Sequence, residues 1–252
     1  MLIASVRKHP NMKHLITMKT FKNIVLNIPH SSTLGLFDEN FGWPRNAHFL
    51  NEVHKLTDWY TDFIFHSNDE AVVPVVFPLS RVVCDAERLP NDPLEADGQG
   101  IVYTRLKGFR REVSESAKAL MMEAYERHQS NLAEHILPGN QTVIIDCHSF
   151  SEEVCPEVDV CIGYNEDWSK PEQEQIDFIV GTFQKAGYKV GINTPYSNSI
   201  TPKCEHKYKS VMIEVNKRCY LRGVCMDINT DSPYAPKFCG NIKKIYKGLL
   251  GK

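Results

Sequence analysis

"TVIIDCHSF", residues 142–150, sets four β-branched side chains directly ahead of Asp146, Cys147, His148 and Ser149. A short apolar run of this kind reads as a buried strand, because branched side chains pack well on a pleated sheet. Side chains alternate across a strand, so Asp146 and His148 share one side while Cys147 points to the other, among core residues. The alternation separates thiol from imidazole. Cys147 therefore reads as core, since a reactive thiol needs an accessible, electropositive setting. In open α/β sheets ligands collect at the carboxyl ends of strands, which is where this strand delivers His148.

The same logic extends along the chain. "NIVLNIPHSS" (23–32) reads as a strand stopped by Pro29 and followed by His30, and "SVMIEVN" (210–216) as a strand carrying Glu214 and Asn216 on one face. "NAHFLNEVHKLTDWYTDFIFHS" (46–67) repeats apolar residues at helical spacing, with His54, Asp58 and Asp62 on another stripe. "AVVPVVF" (71–77), "SRVVCD" (80–85) and "EVDVCIGY" (157–164) are strand-like, whereas 109–136, 170–187 and 236–250 read as helices. Pro171 suits the first turn of the second of these, and Gly187 its end. Strands separated by helices predict a three-layer α/β fold with a mixed, mostly parallel central sheet. We expect a single catalytic domain over 23–252 behind an N-terminal arm, 1–22.

Bulk properties narrow the function. The 252 residues carry a formal net charge of −2, with 42% hydrophobic and 24% charged residues, which gives no electrostatic case for a nucleic-acid or membrane partner. A small-molecule partner is the default, and the oligomeric state is not legible. Eight cysteines without a C-x-x-C spacing suggest reduced thiols. With no long apolar stretch or evident leader, the expected compartment is cytoplasmic.

A catalytic zinc site needs about three protein ligands and an open position. His30 and His148 are the best two candidates, and Asp58 is favoured as the third. His54, four residues earlier, is either a supporting partner of Asp58 or itself the ligand. Asp146 either fixes the tautomer of a ligand histidine or bonds backbone at its strand end. Arg81, Arg88 and Arg105 suit bidentate binding of a substrate carboxylate, or form an ion-pair network with Asp85, Glu87 and Asp97. The loop "TPYSNSITP" (194–202), which includes Ser199, is a pocket wall or a plain turn.

Taken in order, "PHSS", "TDWYTD", "SRVVCDAER", "DCHSF", "TPYSNSITP" and "IEVNKRCYL" resemble the N-formylglutamate amidohydrolase family over roughly residues 23–225. That family is similar in fold to the zinc carboxypeptidases. The resemblance implies one Zn2+ per chain and hydrolysis of the formyl amide of N-formylglutamate, or of a related N-formyl amino acid, to formate and the free amino acid. Such chemistry belongs to amino acid catabolism, histidine degradation included.

The resemblance also implies site roles. His30, Asp58 and His148 would hold the metal and Glu214 would be the catalytic glutamate. It gives Arg81 and Arg88 the hold on substrate. From the residues themselves we expect Arg81 to stabilise the oxyanion or clamp the α-carboxylate, Arg105, Ser199 and Asn216 to stand at the substrate, and His54 and Asp146 to stand behind the ligands. Where family members commonly carry Asp-x-Asn-Arg, this chain has Asp85, Ala86, Glu87 and Arg88, adding a negative charge. The alternatives are an N-acyl amino acid deacylase, a small carboxypeptidase-like zinc peptidase, or an inactive amino-acid-binding relative.

Overall fold

In the computed structural model, residues 18–222, 227–228 and 234–252 are described. The first seventeen residues of the expected arm lie outside them. Residue Phe21, at the arm's end, is buried in the main core, and its amide donates to the Leu249 carbonyl at 2.8 Å.

The central sheet comprises β1 (Asn23–Ile28), β2 (Val72–Val76), β5 (Thr142–Phe150), β6 (Val160–Gly163), β7 (Val190–Ile192) and β8 (Lys209–Asn216), in the order β2-β1-β5-β8-β6-β7. Every pairing is parallel except β6 with β8. Helices α4 (Gln173–Lys185) and α5 (Tyr234–Leu250) cover one face. There Ile176, Phe183, Phe238 and Ile245 pack on Leu26, Ile145, Cys147 and Ile213. The other face packs Val25 and Ile144 against Leu132 of α3 (Glu115–Glu134). This is the expected three-layer α/β arrangement with a mixed, mostly parallel sheet.

Alternation on the three central strands decides where the polar residues go. Ile24 and Leu26, Val143 and Ile145, and Val211 and Ile213 all enter the larger core. Asn27, Asp146, His148 and Glu214 are consequently turned to the opposite face, and His148 stands directly across from Glu214 in the β5–β8 register.

Three elements differ from the sequence reading. The helix expected over 46–67 is divided into α1 (Ala47–Leu56) and α2 (Thr61–Ile64). The Thr57 hydroxyl and amide both bond the Val53 carbonyl at 2.9 Å, and Tyr60 adopts a left-handed φ of 60°, which unwinds the turn holding Asp58. "SRVVCD" is a buried turn and not a strand, since the amides of Val83 and Cys84 both donate to the Ser80 carbonyl, at 2.8 and 3.0 Å.

Helix α3 starts at Glu115 and not near 109. Phe109–Arg110 (β4) pairs with Arg105–Leu106 (β3) across a turn at Gly108, whose φ is 89°, and Ser114 caps the helix by accepting from the Ala117 amide. β7 escaped the sequence reading because "VGI" carries too few cues. Next to it, Gly163 lets the 194–202 loop approach, for a Cβ there would lie 2.9 Å from the Asn198 carbonyl oxygen.

Candidate active site

His30 follows β1 directly and accompanies His148 on a cavity floor that also bears Asp58, Glu87 and Glu214. All five are largely withdrawn from solvent. The histidine rings lie 5.1 Å apart between centroids. Their Nδ1 atoms both face one oxygen, Asp58 Oδ2, at 3.5 Å from His30 and 3.0 Å from His148. The unwound turn after α1 makes this approach possible, because the Asp58 amide donates to the His30 carbonyl at 3.0 Å. Ser149 Oγ donates to the second Asp58 oxygen at 3.1 Å.

The opposite nitrogens face other carboxylates. His30 Nε2 lies 2.9 Å from Asp85 Oδ1, and His148 Nε2 lies 3.1 Å from both Glu87 and Asp146. Ligand atoms of His30, Glu87 and His148 all lie within 4.8 Å of one another, so this group can hold a metal ion. Near Asp58, in contrast, His30 Nδ1 is buried and has no hydrogen-bond partner.

Electrostatics follow from crowding carboxylates around two imidazoles. Burial works against charge on His148, yet Glu87 and Asp146 hold it well above the ordinary histidine range. Burial would raise Asp58, but the hydrogen bond with His148 and the adjacent His30 ring pull it far down. Asp146 is lowered to about 2 against its burial, chiefly by His148. Glu214 goes the other way: burial, reinforced by Asp58 and Glu87, raises it to about 8. Its Oε2 is buried without a partner.

Arg81 and Arg88 line the cavity and also belong to an internal network, so the two readings of these arginines coexist. Arg81 donates to Asp85 Oδ2 at 3.1 Å; Arg88 lies 3.9 Å from the same oxygen and donates through Nε to the Gln99 carbonyl. Tyr196 and Ser197 line the cavity too, which makes "TPYSNSITP" a pocket wall.

Other candidates stand elsewhere. His54 packs its ring on Trp59 and borders a separate cavity with Lys217. Arg105 is exposed on β3. Asn216 is fully buried, donating to the Val158 carbonyl and accepting from the Arg218 amide. Ser199 bonds Ser210 and lines a neighbouring cavity.

Sequence reasoning passed over Asn27 and His128. Asn27 Nδ2 donates to Asp146 at 2.7 Å and to Glu87 at 2.9 Å, while its Oδ1 accepts from His128 Nε2 at 2.7 Å. Asn27 is the strand partner of Asp146, so a pairing of β1 with β5 would have revealed it. Burial lowers His128 to about 4, so the ring is neutral and donates. Asp85 and Tyr103, whose hydroxyl reaches Asp85 at 3.4 Å, complete the polar shell.

No curated protein sequence matches the chain. The N-formylglutamate amidohydrolase family model matches residues 22–221. Among solved structures, an N-formylglutamate amidohydrolase from Ralstonia eutropha JMP134 is similar with a TM-score of 0.72 at 16% identity, over 92% of this chain and 93% of that one. A gene product from Agrobacterium tumefaciens is similar with a TM-score of 0.61 at 17% identity, over 93% and 89%. These structural likenesses carry the fold, and the family match carries the class of chemistry. The chain belongs to the N-formylglutamate amidohydrolase family, hydrolases acting on an amide bond of a small molecule.

Proposed function

We propose that this chain is a zinc-dependent amidohydrolase that releases formate from an N-formyl amino acid, using one catalytic domain over 23–252 and one Zn2+ per chain. The observation that carries the reading is the polarity of the two rings. Each turns Nδ1 to Asp58 and Nε2 to a buried carboxylate, Asp85 for His30 and Asp146 with Glu87 for His148. Metal-binding histidines are typically oriented by a carboxylate on the far nitrogen. The unpartnered His30 Nδ1 fits a cation beside Asp58. His30, Asp58 and His148 would therefore be the ligands, with Asp85 and Asp146 fixing the rings. Bound there, zinc would supply Lewis acidity and lower the pKa of a water toward neutrality.

The remaining work falls to the chain's own groups. Glu214 Oε2, buried and unpaired, faces the same cavity as the histidines. Held at about 8 by burial, Glu214 is suited to take a water proton and return it to the leaving nitrogen as the formyl C–N bond breaks. Arg81, fixed by Asp85, offers a guanidinium to the developing oxyanion or the α-carboxylate, with Arg88 beside it. The seven described cysteines are free, which supports a reducing, cytoplasmic setting. Among the described residues no helix is long and apolar enough to cross a membrane.

The test is formate release by the zinc-supplemented protein from N-formyl amino acids, beside N-acetyl amino acids and dipeptides. Formate release in the wild type, lost in Glu214→Gln with metal retained, is expected. Turnover of acetylated or dipeptide substrates alone would replace the reading with a deacylase or peptidase.

A further inference from the structure

At its C-terminal end a helix leaves carbonyls without intrahelical partners, and α1 has three of them supplied in different ways. The Val53 carbonyl takes the amide and hydroxyl of Thr57, and the His54 carbonyl takes Trp59 Nε1 at 2.9 Å. The Lys55 carbonyl accepts from Lys217 Nζ at 2.7 Å, an ammonium suited to the negative end of a helix. One residue beyond Asp58, the Trp59 carbonyl accepts from the Tyr220 hydroxyl at 2.8 Å. Two carbonyls that bracket Asp58 are thus held by side chains from far along the chain.

Both donors stand just past Glu214. β8 passes straight into a helical turn, Lys217–Cys219, and that turn is firmly seated: Asn216 accepts from the Arg218 amide, and Arg218 bonds Asp159 at 2.7 Å. Tyr220 is buried, and burial keeps its phenol protonated as a donor. The bracketed turn needs outside support, since Tyr60 holds a left-handed φ of 60°, uncommon for a residue other than glycine. The bracket works together with the Asp58 amide on the His30 carbonyl and Ser149 Oγ on Asp58 Oδ1.

We propose that Lys217 and Tyr220 are positioning residues for the metal site: by gripping the carbonyls on either side of Asp58 they set its carboxylate between the two histidine Nδ1 atoms and tie the ligand turn to the strand that bears Glu214. The proposal rests on the amidohydrolase reading, in which Asp58 is a ligand. Electrostatics alone gives Lys217 the opposite effect on zinc. Burial lowers the basicity of Lys217 while Asp58 and Glu214 act the other way, which places the ammonium within their electrostatic reach. Deleting a cation so placed would by itself tighten the binding of a divalent ion.

The test measures zinc affinity of the full chain by competition with a chelator, for wild type, Lys217→Met and Tyr220→Phe, beside chemical denaturation of the zinc-free proteins. Each variant is expected to bind zinc about tenfold or more weakly while remaining folded. With Co2+ at saturation in place of zinc, the visible bands of both variants should differ from those of wild type, because the carboxylate is no longer held in place. Unchanged or tighter zinc binding in the variants, or a loss of stability with affinity and Co2+ bands unmoved, would overturn the proposal alone. Absence of zinc from the wild type would overturn it together with the reading on which it rests.

Discussion

Acidification should weaken this fold in a way that one buried histidine controls. His128 lies on α3, 3% exposed, with its ring edge-on to Phe77 and Nε2 2.7 Å from Asn27 Oδ1. In the unfolded chain the imidazole titrates at about 6.5; in the fold burial holds it down to about 4. The folded-state value is thus depressed, so above pH 6.5 both states are neutral and the term vanishes. As pH falls from 6.5 toward 4 the unfolded chain takes up the proton first, and stability is lost.

Each pKa unit corresponds to about 1.36 kcal/mol, so the full loss is about 3 kcal/mol, of which about 2 kcal/mol has gone by pH 5. Urea unfolding of wild type and His128→Gln between pH 7.5 and 5 isolates the term, because His30, His148 and the carboxylates titrate in both proteins. The wild type should lose about 2 kcal/mol relative to the variant over that range. Parallel stability profiles would refute the claim that His128 is held neutral, and with it the donor assigned to Asn27.

Two further outcomes follow from the same polar shell. Asn27→Ala removes the donor shared by Asp146 and Glu87 and the acceptor of His128, and should cost about 1–3 kcal/mol in chemical denaturation at pH 7; a cost within about 0.5 kcal/mol would show that the network is not a structural element. Asp85→Asn leaves His30 Nε2 without its carboxylate and should weaken zinc affinity about 10- to 100-fold by competition with a chelator, whereas unchanged affinity would remove Asp85 from the support of the ligands.

Strand alternation carried much of the site. "TVIIDCHSF" places Cys147 in the larger core and Asp146 with His148 on the opposite face, as the period of two requires. His30 and Glu214 are legible for the same reason, being delivered by flanking strands of one parallel set. Asp58 and Glu87 were harder. Helical periodicity ran straight through Thr57, and only the tertiary bond from the Asp58 amide to the His30 carbonyl shows why the chain unwinds there. Glu87 read as a charge near the substrate, but its place against His148 depends on a buried turn that apolar patterning mistook for a strand. Asn27 needed the sheet order, and His128 sat unmarked on a charged helix until α3 was placed over the sheet.

Zinc content per chain, measured after loading and removal of excess metal for wild type, Asp58→Asn and Glu87→Gln, tests the central claim most directly. If His30, Asp58 and His148 form the centre, wild type and Glu87→Gln retain about one zinc per chain and Asp58→Asn retains little. Zinc kept by Asp58→Asn and lost from Glu87→Gln would contradict the account and move the ion to the other side of the two rings, onto His30, Glu87 and His148.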